Sequence, residues 1–248
     1  MSRRLIVNAD DWGMTRGVSE GILAAHRHGI VSSTTVLVTA DLDRSLVGRL
    51  LDSGLGVGLH VNLTLGKPLT RGRSLVDDQR RFVRDARHAA ARAVAADVRA
   101  EVEAQVAKFE KTFRRAPTHL DTHHHVGLHP PVRDVVLHVA RALDVPVRSQ
   151  DDAARVRARS AGLRTPDHFF GESGPGAYWS PVTTLSVLRA LPEGVSEFMT
   201  HPGWFDADLA YSRYGRQRET EMVGLGTPSA RAAAAALGIT LCTFAELS

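Results

Sequence analysis

Cysteine is nearly absent: Cys242 is the single one in 248 residues. That excludes a disulfide framework and any cysteine-based zinc module. No stretch approaches the ~20 apolar residues of a membrane span. Leu5-Ile6-Val7 follows two arginines but is too short for a signal-peptide core, so a cytoplasmic chain without a membrane span is expected. Lysines number three and aromatics make up 6%. The net charge is +4, from 31 Lys+Arg against 27 Asp+Glu. The arginines are spread out, and no basic stripe is interleaved with aromatics, so nucleic acid is not an expected partner despite a pI near 9.7. Hydrophobic residues at 43% and charged residues at 23% are ordinary for a globular protein. One domain over 1–248 is expected.

Short apolar runs alternate with helical patterns, which argues for an α/β fold with a parallel sheet. Arg4–Asp10 reads as a buried strand, followed by a helix to about Gly29. Ser33–Thr39 is the second strand and Asp43–Asp52 a short helix. Val57–Leu63 is the third strand. The segment from Gly66 to about Arg84 is long for a loop and is expected to be a lid or a mobile insertion. Val98, Val102, Val106, Phe109 and Phe113 repeat at helical spacing. Thr118–His124 is the fourth strand, Pro131–Leu143 a helix, and Val145–Arg148 a short strand. Residues 150–176 look irregular. Ser196–Thr200 is a further strand. Thr227-Pro228 opens a helix that Gly238 closes, and Ile239–Thr243 is the last strand. The count is about seven β/α units, as in an irregular TIM-barrel-like (β/α) barrel. Such a barrel carries its chemistry at the C-terminal ends of its strands.

Polar residues collect at those ends. The first strand runs into Asn8-Ala9-Asp10-Asp11. Two carboxylates there can divide labour, one holding a metal and the other acting as a base. The competing reading is a cap on the following helix, aided by Gly13. In the third strand, alternation puts His60, Asn62 and Thr64 on the face opposite Leu59, Val61 and Leu63. Of the twelve histidines, six fall between His119 and His138. Asp121, His123 and His125 alternate onto one face of the fourth strand, so both histidines are expected to approach one ion, with Asp121 orienting a ligating ring. His201 precedes Pro202-Gly203, a turn that aims it off the end of its strand, and Arg148 also ends a strand.

Val7-Asn8-Ala9-Asp10-Asp11-Trp12-Gly13 resembles the N-terminal signature of the YdjC-like carbohydrate deacetylases, which include chitooligosaccharide deacetylases. Ser33-Thr34-Thr35, Gly58 to Thr64, Gly66-Lys67-Pro68-Leu69, His119 to Val126, His201-Pro202-Gly203 and Arg218-Glu219-Thr220-Glu221 fit in the same order. The resemblance implies a TIM-barrel-like fold, one divalent metal ion and removal of N-acetyl groups from an amino sugar. It assigns Asp11, His60 and His123 to the metal, with Mg or Zn foremost and Mn, Co and Ni also accepted. It makes Asp10 the base, His201 the acid, and Arg148 the residue that holds Asp10. Asp121, His125, Trp12 and Trp204 are candidates for supporting or sugar-contacting roles. A homodimer is expected from the family and from the frequency of such assemblies. The chain departs from the family at Gly127, where a histidine is usual, and residues 66–95 form a divergent insertion. The alternatives are another metal-dependent hydrolase (an amidase or a phosphodiesterase) and a catalytically inactive sugar- or metal-binding barrel.

Overall fold

The computed structural model describes residues 2–247. The chain divides into two compact units. One holds the residues up to Val36, Leu42–Val57 and everything from Pro166; the other holds Leu37–Asp41 and Gly58–Thr165. In chain order the elements are β1 (Arg3–Trp12), α1 (Arg16–His28), β2 (Ser33–Val36), α2 (Arg44–Leu51), β3 (Gly56–Val61), α3 (Ala86–Arg92) and α4 (Ala95–Phe113). They continue as β4 (Leu120–Thr122), α5 (Val132–Leu143), α6 (Asp152–Ser160), β5 (His168–Phe170) and α7 (Pro181–Arg189). The last are β6 (Gly194–Thr200), α8 (Gln217–Leu225), α9 (Pro228–Ala236) and β7 (Ile239–Leu241). Among the described residues no helix is long and apolar enough to cross a membrane.

The first unit is built around β1. Leu5, Ile6 and Val7 are fully buried, as a strand covered on both faces requires, and this explains its unbroken apolar run. β6 pairs with one edge of β1 from Arg3↔Gly194 to Ala9↔Thr200, and β5 adds outside β6. The other edge is shared: β7 covers Arg3–Leu5 and β2 covers the Asn8–Trp12 end. Each of these pairings is parallel. Cys242 packs with Ile6, Phe244 and Leu247, and burial pushes its thiol up to about 11. α1 opens at Thr15, whose hydroxyl accepts from the Val18 N–H, so neither Asp10 nor Asp11 serves as its cap.

In the second unit β3 pairs with β4 from Leu59↔Leu120 to Val61↔Thr122. Gly58 makes room for the His119 side chain, since a Cβ there would sit 2.4 Å from the imidazole. α5 buries Val132, Val135, Val136, Val139 and Ala140, one stripe at helical period. α4 buries Val98, Val102, Val106, Phe109 and Phe113, and places Glu101 and Gln105 on the same buried face.

Several expectations need correction. β2 ends at Val36 rather than Thr39. β4 is three residues long, because the chain turns left-handed directly after it. The expected strand at Val145–Arg148 is a single bridge between Val147 and Leu120. Residues 150–176, expected irregular, contain α6 and β5. α6 buries only Ala158, so it has no apolar stripe to read; its start is set by Asp151 accepting from the Ala154 N–H. The segment 66–95 contains a 3-10 turn at Arg73–Leu75, an antiparallel bridge between Val76 and Phe82, and α3. The α/β class is present. The pairings among the described residues do not amount to a ring of seven β/α units.

Candidate active site

In the first unit the site starts where β1 loses its regularity. The register with β2 slips between Ala9 and Trp12, and Asp11 takes φ +74°. A left-handed aspartate inside a strand is a strained, locally over-determined position of the kind that re-aims a side chain. Asp10 and Asp11 are both 2% exposed, and buried carboxylates need partners. Asn8 Nδ2 donates to Asp10 Oδ1 at 2.8 Å and to Thr35 Oγ1 at 3.3 Å. Asp11 Oδ2 accepts from the Arg218 guanidinium at 2.6 Å. Asp10 Oδ2 lies 4.0 Å from His201 Nε2, at the end of β6, beyond hydrogen-bond length but close enough for a charged pair.

His201 is held from behind by α8. Its backbone N–H donates to Glu221 Oε2 at 2.5 Å, and the Tyr214 O–H donates to Glu221 Oε1 at 2.5 Å. The Tyr214 and His201 rings are 5.1 Å apart between centroids. Burial raises the Glu221 carboxyl to about 7, partly offset by the Tyr214 and His201 hydrogen bonds. Burial, then the Glu221 charge, push the Tyr214 phenol above its ordinary range, so it stays a donor. After His201 the chain is fastened to the start of α1: the Gly17 N–H donates to Asp206 and Gly17 O accepts from the Trp204 N–H. Trp204 is 44% exposed, whereas Trp12 is buried, so of the two only Trp204 presents its ring to solvent.

In the second unit the ends of β3 and β4 form a compact polar cluster. His60 Nδ1 is 2.7 Å from Asp121 Oδ1, and Arg148 donates to Asp121 Oδ2 at 2.9 Å. A carboxylate only accepts, so His60 donates from Nδ1, which leaves Nε2 on the other side of the ring. His60 Nε2 lies 3.3 Å from His123 Nδ1. Two buried imidazole nitrogens this close, one backed by a carboxylate, are a donor set suited to a borderline-soft divalent ion. The strand alternation expected to carry His125 alongside His123 does not hold. His124 and His125 take φ +54° and +55°, and the Gly127 N–H donates back to Thr122 Oγ1. His124 stacks on His123, and His125 accepts from Gln150. A Cβ at Gly127 would sit 2.8 Å from Thr122 Cγ2, so a larger residue in this close turn would require the Thr122 side chain to shift.

The end of β3 is braced by α4. Gln105 bonds the backbone of Asn62 in both directions, and Glu101 accepts from Gln105 at 2.9 Å. The same Glu101 accepts from the Leu69 and Thr70 N–H groups and the Thr70 hydroxyl, which ties the following segment to the helix.

The family model described as YdjC-like protein matches residues 4–236. The chain belongs to the YdjC-like family. It is 36% identical to a chitooligosaccharide deacetylase of Serratia marcescens, covering 100% of both chains. It is 37% identical to a carbohydrate deacetylase of Geobacillus stearothermophilus, over 99% of this chain and 98% of that one. Among solved structures, an Enterococcus faecalis V583 protein whose name proposes cellobiose-phosphate cleavage is similar with TM-score 0.88, 30% identity and 98% coverage of each chain. The carbohydrate esterase family 4 domain of a xylanase from a Trinervitermes trinervoides hindgut metagenome gives TM-score 0.53 at 10% identity, covering 99% of this chain and 89% of that one, a likeness of fold alone. In this YdjC-like chain, the site residues without an expected role were Tyr214, Arg218 and Glu221. A signal for two of them was present: Arg218 and Glu221 share a helical stripe with Met222 and Leu225, and charges on an apolar stripe need partners inside.

Proposed function

We propose that this protein is a divalent-metal-dependent hydrolase that removes N-acetyl groups from an amino sugar or a molecule containing one. The observation that carries the reading is the pairing of Asp10 with His201, a buried carboxylate and an imidazole 4.0 Å apart at the ends of adjacent strands. The full-length relatives named as deacetylases supply the bond to be broken. His60 and His123 fit the nitrogen half of a metal site, and the family pattern adds Asp11 as its carboxylate. A divalent ion, when bound by these residues, would supply Lewis-acid polarisation of the acetyl carbonyl and a lowered pKa for water.

The chain's own residues then move the protons. Asp10 takes a proton from the attacking water as its oxygen bonds to the acetyl carbon. His201 gives a proton to the amide nitrogen as the C–N bond breaks, because an amide nitrogen is a poor leaving group as an anion. The products are acetate and the free amine. Arg218 holds Asp11, and Asp121 orients His60 while Arg148 neutralises the other oxygen of Asp121. Trp204 offers a flat exposed ring to a sugar face.

The test is acetate release from N-acetylglucosamine, its short oligomers and its glycosides, with and without a chelator. Release that a chelator abolishes and a divalent metal restores is expected. A metal-loaded protein that frees acetate from none of them overturns the reading.

A further inference from the structure

Glu221 is fully buried, and its hydrogen bonds go to neither the Asp10 carboxylate nor the His201 imidazole. Its two oxygens are used in different directions, one on the His201 backbone N–H and one on the Tyr214 hydroxyl, both at 2.5 Å. His201 begins a turn through Pro202 and Gly203, where the backbone leaves β6 and loses its ladder partners. The orientation of its imidazole therefore depends on what holds that peptide. Tyr214, fixed by the same carboxylate, lays its ring against the imidazole. One turn earlier on α8, Arg218 donates through Nε to Tyr214 O at 3.0 Å, which fixes the other end of that residue.

We infer that Glu221 is the positioning residue of the acid: through the His201 amide and the Tyr214 hydroxyl it holds the imidazole in line with the departing amine nitrogen. This rests on the reading of His201 as the proton donor. The consequence is selective. A misplaced acid slows the reaction only where the leaving group needs a proton. An amine leaving from an N-acetyl sugar needs one, whereas 4-nitrophenolate leaving from 4-nitrophenyl acetate does not.

The experiment compares the metal-loaded protein with Glu221→Gln, Tyr214→Phe and His201→Ala on an N-acetylglucosamine oligomer and on 4-nitrophenyl acetate, with metal content measured for each. A glutamine keeps the shape but has one acceptor oxygen where the carboxylate has two. For Glu221→Gln, kcat on the oligomer should fall about 10- to 100-fold, the scale of a misplaced catalytic group. KM, metal content and the ester rate should stay close to those of the parent. Tyr214→Phe should show the same selectivity with a smaller loss, and it carries the test if Glu221→Gln does not fold. Equal losses on both substrates, loss of metal, or no loss in either variant would overturn the inference. His201→Ala separates the two failures. If it spares the ester and Glu221→Gln does not, the positioning role is wrong and the acid stands. If His201→Ala slows both substrates alike, the reading of His201 as acid has failed.

Discussion

Arg218 and Asp11 are 207 residues apart in sequence and meet at 2.6 Å, with side chains 2% and 3% exposed. The contact ties α8 to the strained end of β1. A buried pair of this kind is not strong evidence of stability, because both charges were taken out of water to form it. Breaking it is another matter. Arg218→Met would remove the guanidinium from which Asp11 accepts, and taking one partner out of a buried pair costs about 3–5 kcal/mol. A urea unfolding midpoint well below that of the parent is expected, and an unchanged midpoint would show that the pair does not form in solution.

Glu221 makes folding stability depend on pH. Burial raises its carboxyl from 4.5 to about 7. The unfolded chain loses this proton near pH 4.5, whereas the folded chain keeps it to about 7. Between those values the folded state binds the extra proton, so stability declines as pH rises. The contribution is whole below about pH 4.5 and lost above about pH 7, a change of roughly 3 kcal/mol. Glu221→Gln removes the titrating group. Unfolding free energies at pH 5 and pH 7.5 should differ less in the variant than in the parent; equal differences would contradict the assignment.

The metal reading separates two substitutions. His123→Ala should lose bound metal and activity together, as measured by atomic emission on dialysed protein and by acetate release. Asp10→Asn should keep the metal and lose about 10²- to 10⁴-fold in rate, the usual contribution of a positioned acid or base. Full metal occupancy in His123→Ala would remove that histidine from the ligand set.

Glu101 predicts local rather than global behaviour. It accepts from the Leu69 and Thr70 amides and from the Thr70 hydroxyl. In Glu101→Ala those amides should exchange with solvent on the order of tenfold to a hundredfold faster, since a hydrogen bond to a charged group contributes about 1.5–3 kcal/mol. Trypsin should also cut sooner after Arg71 or Arg73. Unchanged exchange at both amides would show that the segment is held by other contacts.

Much of the scaffold was legible along the chain because it depends on short-range rules. The helix Arg44–Leu51 lies between Asp43 and Asp52, as its capping residues imply. Thr227 and Pro228 open the helix they signal. The apolar run before Asp10 is a strand buried on both faces. The polar row at His60 was readable from alternation, and so was the collection of ionisable residues at strand ends. Alternation failed at His123–His125 because the strand stops at Thr122, and a left-handed turn closed by the Gly127–Thr122 hydrogen bond replaces it. A period-two argument holds only while the backbone stays extended.

The sequence by itself determined which ionisable residues collect at strand ends and which segments are apolar enough to form the sheet, since composition, caps and periodicity act within a few residues. The tertiary structure alone decided the partners. Asp121 serves His60 and Arg148, Arg218 reaches back to Asp11, and Glu221 grips the backbone of His201. Each is a pairing forced by burial, because a charge withdrawn from water must find its counterpart wherever the fold brings one near. Nothing in the order of residues along the chain states which counterpart that is.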